Sequence, residues 1–255
     1  MLQACDLWVQ YSGGPERAAL RGVSVGFAPG RFAAIVGPNG SGKSTLLRVL
    51  SGILPPSRGT AMLEGCPLHA MGVRERARRV AVVPQGANVA FPFTVREVVL
   101  MGRHAFVKPL GSEGPEDFQA AEQAMEEAGV TEFADRPITE LSGGEAQRVI
   151  AARALAQRTA VMLLDEPVSN LDIRHQTALL QLFARKARQG ATVVCVLHDL
   201  NMAERFADDV LVMSQGQVVR FGPPQQALEL ELLEQVYGQK LLSVPGPYGR
   251  VLIPG

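Results

Sequence analysis

A chain of 255 residues is long enough to bury one substantial hydrophobic core, or a core with a subdomain. Its 25 Lys and Arg residues are balanced by 25 Asp and Glu residues, and only 5% of the residues are aromatic, which argues against a nucleic-acid partner. Segment 1–11 lacks the pattern of a signal peptide, and apolar runs such as 193–197 are too short to span a membrane. Cys5, Cys66 and Cys195 lie far apart, which indicates free thiols in a soluble cytoplasmic protein.

The first third of the chain is predicted to contain short strands. Apolar residues alternate at Leu7, Val9 and Tyr11, and again over 23–27, as in the strands of an antiparallel β subdomain. The continuous apolar run 32–36 predicts a buried strand, followed by a helix that ends near Gly52. Further short strands are expected at 61–63 and 80–83.

The middle third is predicted to be a helical subdomain over about 86–157. Thr94 with Glu97 forms a capping box before the helical pattern 95–101, and Ser142 with Glu145 forms a second one. Between them, 120–128 has the pattern of a helix that ends at Gly129.

The last third alternates predicted strands and helices. Apolar runs 161–164 and 192–197 are typical of parallel strands covered on both faces, and 173–189 between them has helical periodicity. A hairpin is expected over 210–221, then a helix over 225–237 and a tail rich in Pro and Gly.

We therefore expect one α/β domain over 1–255. Its core with the β subdomain is assigned to 1–85 and 158–222, its helical subdomain to 86–157, and its C-terminal helix and tail to 223–255.

A glycine-rich segment between the strand 32–36 and the following helix predicts a phosphate-binding loop. Successive backbone N–H groups can surround an anion there, and the helix dipole adds positive charge. Lys43 can reach the terminal phosphates of a nucleoside triphosphate, and the Ser44 hydroxyl can bind Mg²⁺. The segment consists of Gly37, Pro38, Asn39, Gly40, Ser41, Gly42, Lys43, Ser44 and Thr45.

Two carboxylates, Asp165 and Glu166, follow the apolar run 161–164. Buried strands seldom end in two acids unless these serve a cation or a reaction. Asp165 is therefore expected to hold Mg²⁺ and Glu166 to polarise the attacking water. The alternative, two ordinary acidic loop residues, is weakened by the phosphate-binding loop in the same chain.

A second glycine-rich helix start, Leu141-Ser142-Gly143-Gly144-Glu145, offers another anion-binding end. With it, the chain resembles the nucleotide-binding subunit of an ATP-binding cassette (ABC) transporter, whose signature these residues match. The resemblance implies a P-loop NTPase (RecA-like) core, and implies that this helix end contacts the γ-phosphate of the ATP held by the opposite subunit.

Four further family motifs are present in the expected order. By the resemblance, Gln85 contacts Mg²⁺ and senses the γ-phosphate, Asp172 of the segment 169–172 contacts the other subunit, His198 is the switch histidine, and Tyr11 stacks on adenine. Three of the four have a simpler alternative: Gln85 as a solvated strand end, His198 as a core residue, and Tyr11 as a packing residue with Trp8 as the stacking aromatic.

The remaining histidines and a basic cluster receive no functional role from the sequence. His69, His104 and His175 have no partner at metal-ligand spacing, so they are interpreted as surface or core residues. The arginines within 74–79 are interpreted as one solvated helix face.

Because one chain carries one phosphate-binding loop and one signature, the resemblance implies a homodimer with two shared ATP sites. A separate membrane permease would carry the substrate, a binding protein would deliver it, and the ATPase would lie on the cytoplasmic side of the bacterial inner membrane. The helical subdomain and the loop after Gln85 are the expected docking surface. Two alternatives remain at this point: a soluble cassette ATPase that acts on DNA or ribosomes, and a phosphate-loop kinase or GTPase.

Three segments narrow the resemblance to ATPases that import haem, ferric siderophores and cobalamin: 91–103, 198–201 and 232–238. Phe91 and Phe93 are interpreted as exposed anchors for a permease helix, with packing inside the helical subdomain as the alternative.

Overall fold

A six-stranded sheet forms the centre of the chain. In the computed structural model, residues 1–11, 18–86, 91–108, 111–169, 171–246 and 249–255 are described. The strand order is β10-β9-β3-β8-β7-β6, and all neighbours are parallel except the β9–β10 hairpin. Its strands are β3 (Phe32–Val36), β6 (Val80–Val83), β7 (Val161–Asp165), β8 (Thr192–Val196), β9 (Asp209–Ser214) and β10 (Gln217–Gly222).

A four-stranded antiparallel sheet of order β2-β1-β4-β5 covers one side of the molecule. It contains β1 (Leu2–Gln10), β2 (Ala18–Phe27), β4 (Arg58–Leu63) and β5 (Cys66–Pro67). The pairing of β1 shifts register around Asp6, whose φ of 48° marks a bulge.

The central sheet separates two hydrophobic cores because successive side chains of a strand point to opposite faces. Ala33 and Ile35 of β3 face the antiparallel sheet and helix α1 (Lys43–Leu50). Phe32, Ala34 and Val36 face the helices on the other side. All five residues of β3 are buried, as expected for a central parallel strand.

Besides α1, the α-helices are α2 (Val73–Ala77), α3 (Val95–Leu100), α4 (Pro115–Ala128), α5 (Gly143–Ala156), α6 (Ile173–Arg188), α7 (Leu200–Phe206), α8 (Pro224–Ala227) and α9 (Leu230–Tyr237). Helices α3, α4, α5 and α6 contribute buried residues to the second hydrophobic core, on the face of the central sheet opposite the antiparallel sheet. Within 86–157, the described residues form three α-helices and no strand, and the buried Arg103 links them through the Asp117 carboxylate and the Ala156 carbonyl, both at 2.9 Å.

The C-terminal region differs from the sequence prediction. The prediction of a single helix over 225–237 is wrong, because this segment forms two helices, α8 and α9. The first of them ends at Leu228, whose carbonyl accepts a hydrogen bond from the Arg250 guanidinium at 2.7 Å. The tail is a hairpin of β11 (Leu241–Gly246) and β12 (Gly249–Pro254). The break at Leu228 coincides with the contact from Arg250, 22 positions away, whereas the hairpin pairs segments that are adjacent in the chain.

The observed architecture is of the predicted class: an α/β core, an antiparallel β subdomain and an inserted helical part. Cys5, Cys66 and Cys195 are free thiols, as predicted. Among the helices of the described ranges, none combines the length and the apolar character needed to cross a membrane.

Candidate active site

The predicted site residues follow four neighbouring strands. In the order β3, β8, β7 and β6, these strands are parallel, so their carboxyl ends lie at one edge of the sheet. The glycine-rich loop follows β3, His198 follows β8, Asp165 ends β7 and Gln85 follows β6. In open parallel sheets, ligands bind at this edge.

The loop between β3 and α1 depends on glycine at two positions. Gly37 and Gly42 have φ values of 148° and 100°, which other residues rarely adopt. A Cβ atom at Gly37 would lie 2.1 Å from the Met213 carbonyl oxygen, and one at Gly42 would lie 2.5 Å from that of Ala19. Because Gly42 offers no side-chain cap to α1, the first N–H groups of the helix stay available for a ligand.

Lys43 is buried at the start of α1 and is held inside the loop. Its Nζ donates hydrogen bonds to the carbonyl oxygens of Gly37 at 2.8 Å and Pro38 at 2.9 Å. Burial lowers its pKa, while the negative charges of Glu166 and Asp165 oppose this shift. The ammonium group therefore lies desolvated and close to the predicted phosphate position.

Asp165 and Ser44 meet although they are far apart in sequence. The Ser44 hydroxyl donates a hydrogen bond to Oδ1 of Asp165 at 2.9 Å. Burial raises the pKa of the Asp165 carboxyl, the Ser44 hydrogen bond lowers it, and the nearby Glu166 charge raises it again. A buried carboxylate beside a hydroxyl is a set of hard oxygen donors, which suits Mg²⁺.

Glu166 has both carboxylate oxygens engaged. Oε1 lies 2.5 Å from Nε2 of His198, and Oε2 accepts a hydrogen bond from Nε2 of Gln85 at 2.7 Å. The Glu166 backbone has a φ of 50°, which is uncommon for a residue with a side chain. Three side chains from three strand ends therefore converge.

An open pocket of about 330 Å³ contains most of these groups. Tyr11 lines the pocket and its hydroxyl lies 3.4 Å from Oγ1 of Thr45. Trp8 lies elsewhere, donating a hydrogen bond to Asp6 at 2.9 Å, so the geometry favours Tyr11 as the stacking aromatic. The lining residues are Tyr11, Ala19, Asn39, Gly40, Ser41, Gly42, Lys43, Ser44, Thr45, Glu166 and His198.

Ala19 is the pocket residue that the sequence did not suggest. It belongs to β2 of the antiparallel sheet, and a small apolar residue within a strand carries no local signal of function. Its contact with the loop follows from tertiary structure alone.

The second glycine-rich helix start lies outside this pocket. Ser142 caps α5: its hydroxyl accepts a hydrogen bond from the Glu145 N–H at 3.3 Å and donates one to Oε2 of Glu145 at 2.7 Å. The capping hydrogen bonds from the Ser142 hydroxyl and N–H lower the pKa of the Glu145 carboxyl. Among the described residues that line the pocket, none comes from 142–145.

Asp172 also lies outside the pocket and caps α6. Its carboxylate accepts the His175 N–H at 2.9 Å and lies 2.8 Å from Nδ1 of His175. These hydrogen bonds lower the pKa of Asp172. The neighbouring Asn170 lies outside the described residues.

Several residues received no functional role from the sequence. Among the described residues, no group of three potential metal ligands is found. The arginine cluster is less solvated than expected, because Arg74 and Arg78 both donate to the Ala105 carbonyl. Phe91 and Phe93 are 67% and 39% exposed, so the alternative that they pack inside the helical part is wrong.

Comparison with known proteins gives the same assignment as the geometry. The family model for ABC transporters matches residues 20–169. The hemin import ATP-binding protein HmuV of Nocardia farcinica is 48% identical, over 99% of this chain and 88% of its own length. The structure of a protein described as a metal-chelate type ABC transporter in an inward-facing conformation superposes with a TM-score of 0.86 at 29% identity, covering 100% of this chain and 96% of that one.

A dimeric ATP-binding cassette in a post-hydrolysis state with ADP and Pi superposes with a TM-score of 0.80 at 30% identity, covering 88% of this chain and 99% of that one. The predicted fold class and family are thereby confirmed. The chain belongs to the ATP-binding subunits of the ABC transporter family and is an ATPase.

Proposed function

We propose that this protein is the ATP-hydrolysing subunit of an importer for a metal chelate, with haem as the first candidate and ferric siderophores and cobalamin next. The observation that carries the ATPase part is the convergence of the glycine-rich loop, Asp165, Glu166 and His198 at one sheet edge. The 48% identity to a hemin import subunit supports the cargo.

The contacts in the pocket support the following residue roles. Loop N–H groups and Lys43 would bind the phosphates, because both are donors oriented by the loop. Tyr11 would stack on adenine at the pocket rim. Glu166 would polarise the attacking water, and its contacts with His198 and Gln85 would let these two side chains respond to the γ-phosphate.

A divalent cation fits the oxygen donors of the site. Ser44, Asp165 and the Gln85 carbonyl oxygen would hold Mg²⁺, which would neutralise charge on the transferred phosphoryl group. The described residues form no protein-only cluster of three acidic, His or Cys ligands. This is consistent with an ion held largely by the nucleotide phosphates.

The working unit is proposed to be a homodimer. The pocket of their own subunit is not lined by Ser142, Gly143, Gly144 or Asp172, so we propose that these residues complete the site of the partner subunit. The dimeric cassette with ADP and Pi is a precedent within the family. ATP would then stabilise the closed dimer and hydrolysis would release it.

The importer also needs a permease, and the protein would associate with it at the cytoplasmic face of the membrane. The exposed rings of Phe91 and Phe93, whose centroids are 6.1 Å apart, support docking at this surface. A groove of about 330 Å³ near the exposed Ile53 and Val73 offers a second apolar contact.

The ATPase roles can be tested by two substitutions with opposite signatures. Lys43→Ala should abolish tight nucleotide binding, because Lys43 contacts phosphate in the ground state. Glu166→Gln should keep binding and stop turnover, because Glu166 acts on water. Lys240→Ala, at an exposed lysine, is the matched control. Wild-type turnover in Glu166→Gln would refute the role of Glu166.

The cargo can be tested by uptake of labelled haem, ferric siderophore and cobalamin in cells that carry Lys43→Ala. Uptake of the true cargo should fall to background and that of the other two should not change. If uptake of all three is unchanged, the chelate hypothesis fails and the ATPase assignment stands.

A further inference from the structure

The helix that follows His198, α7, is linked by side-chain contacts to strand β12. α7 starts two residues after His198, and Asp199 caps it by accepting the N–H groups of Asn201 at 2.7 Å and Met202 at 3.4 Å. The backbone at His198 is therefore continuous with the first turn of α7. Any movement of α7 would move His198 relative to Glu166.

Asn201 joins α7 to strand β12 by a pair of hydrogen bonds. Its amide nitrogen donates to the Leu252 carbonyl at 3.0 Å, and its amide oxygen accepts the Leu252 N–H at 2.7 Å. Leu252 is buried in the helix-side core. An amide that uses both of its ends in this way fixes one register between helix and strand.

Glu204 and Arg250 form a second link one turn further along α7. Both Glu204 oxygens lie 3.3 Å from the Arg250 guanidinium, and the Glu204 side chain is only 6% exposed. The same guanidinium donates to the Leu228 carbonyl at 2.7 Å. A carboxylate buried to this degree requires its partner, so α7, β12 and the α8–α9 junction keep a fixed relation.

None of these side chains lines the nucleotide pocket, and residues 201–252 lie beyond the range matched by the family model. A seven-residue helix has little stability of its own, so its position depends on what it packs against.

We propose that the β11–β12 hairpin is a brace for His198: Asn201, Glu204 and Arg250 are positioning residues that set the distance from the His198 imidazole to Glu166. The proposal rests on the proposed role of His198 in ATP hydrolysis. It gives the C-terminal hairpin a part in the catalytic cycle of its own subunit.

The first test is steady-state ATPase activity of the full chain. Arg250→Met should lower kcat about fivefold and leave KM for ATP unchanged, because the nucleotide-binding loop is not affected. Arg250→Lys should recover part of the loss, since the charge on Glu204 is again paired. Arg220→Met is the matched control: Arg220 lies on β10, and its guanidinium lies 4.0 Å from the carboxylate of Glu229, a residue outside α7. It should retain wild-type kcat.

The second test separates the brace from a general loss of stability. In a His198→Ala background, Arg250→Met should cause no further loss of kcat, because its effect acts through His198. With ¹⁵N-labelled histidine, Arg250→Met should shift the ring signals of His198 and leave those of His69 and His104 in place. Multiplicative losses, or unchanged His198 signals, would overturn the brace. Wild-type kcat in His198→Ala would instead refute the proposed role of His198, and the ring signals would still test the brace.

Discussion

Two glycine-rich helix starts, those of α1 and α5, look alike in sequence but differ in the folded subunit. α1 begins at Gly42 without a side-chain cap and without an acidic residue in its first turn. α5 begins at Ser142 with a complete capping box, in which Glu145 supplies a negative charge. The first end opens into the pocket, whereas the second is exposed on the surface.

The difference shows what each end can do without a partner. The free N–H groups of α1 favour an anion, since the helix dipole is not compensated there. At α5, Glu145 already compensates the dipole, and the Ser142 hydroxyl is bonded to that carboxylate. We infer that α1 can bind phosphate in a single subunit, whereas α5 does so only when a second subunit presents a nucleotide and Ser142 leaves Glu145.

The largest expected effect comes from breaking the α5 end. Ser142→Arg should leave ATP binding by the open subunit intact and abolish ATP-dependent dimerisation, because a long cationic side chain would replace the hydroxyl at the proposed dimer contact. Light scattering in a Glu166→Gln background, where ATP is not consumed, measures this directly. Thr131→Arg, at an exposed position outside the signature, is the control. Normal dimerisation of Ser142→Arg would refute the shared site.

A substitution at the α1 end should affect binding instead. Gly42→Ala forces a side chain into a left-handed conformation, which costs about 1–2 kcal/mol, and its Cβ would approach the Ala19 carbonyl oxygen to 2.5 Å. The affinity of the open subunit for ATP should fall at least about tenfold, measured by calorimetry. Gly143→Ala at the α5 start, where a Cβ meets nothing within 4 Å, should not change this affinity. Equal losses in both variants would contradict the comparison.

Removing the charge at the α5 end should strengthen the dimer moderately. Glu145→Gln keeps a capping residue but removes a negative charge from the side that would face the γ-phosphate. A charge near a helix start is worth about 0.3–1 kcal/mol, so dimerisation should need about two- to fivefold less ATP. Glu97→Gln makes the same change in the capping box of α3 and should have no such effect. Weaker dimerisation of Glu145→Gln would show that the carboxylate supports the contact.

The smallest expected effect is on proton binding. Because the Ser142 hydrogen bonds lower the pKa of Glu145, the carboxyl should titrate below the ordinary range of glutamic acid. The stability of the cap is present above the pKa of the unfolded chain and is lost as the pH falls through the lower folded value. Carbon-13 NMR of the Glu145 carboxyl measures this pKa, and Ser142→Ala should raise it. An unchanged pKa in Ser142→Ala would refute the stated cause.

Local signals were sufficient where a feature depends on neighbouring residues in the chain. Both capping boxes could be predicted because their partners are three residues apart. The bounds of β3 could be predicted because it is a continuous apolar run, and the structure shows all five of its residues buried. The β9–β10 turn was also predictable, because Gln215 and Gly216 lie between two short apolar runs. In the structure both residues adopt the positive φ values of a tight hairpin.

Features without a clear local pattern were missed. The first half of β1 escaped prediction because the bulge at Asp6 reverses the alternation: Leu2 and Ala4 face inward before it, and Leu7 and Val9 after it. The hairpin β11–β12 contains Pro245 and Pro254, which argue against a central strand but are tolerated where every strand is an edge. Ser44 and Asp165, 121 positions apart, were each expected at a Mg²⁺ ion from their local motifs, but the hydrogen bond between them was not predicted.

The two contacts of the Glu166 carboxylate have a consequence for ATP consumption in the cell. With one oxygen beside His198 and the other bound to Gln85, part of the acceptor capacity of this carboxylate is already used in the isolated subunit. If Glu166 acts as proposed, a subunit that meets ATP alone should hydrolyse it more slowly than one in which these two contacts are released. ATP consumption per unassembled subunit would then stay low.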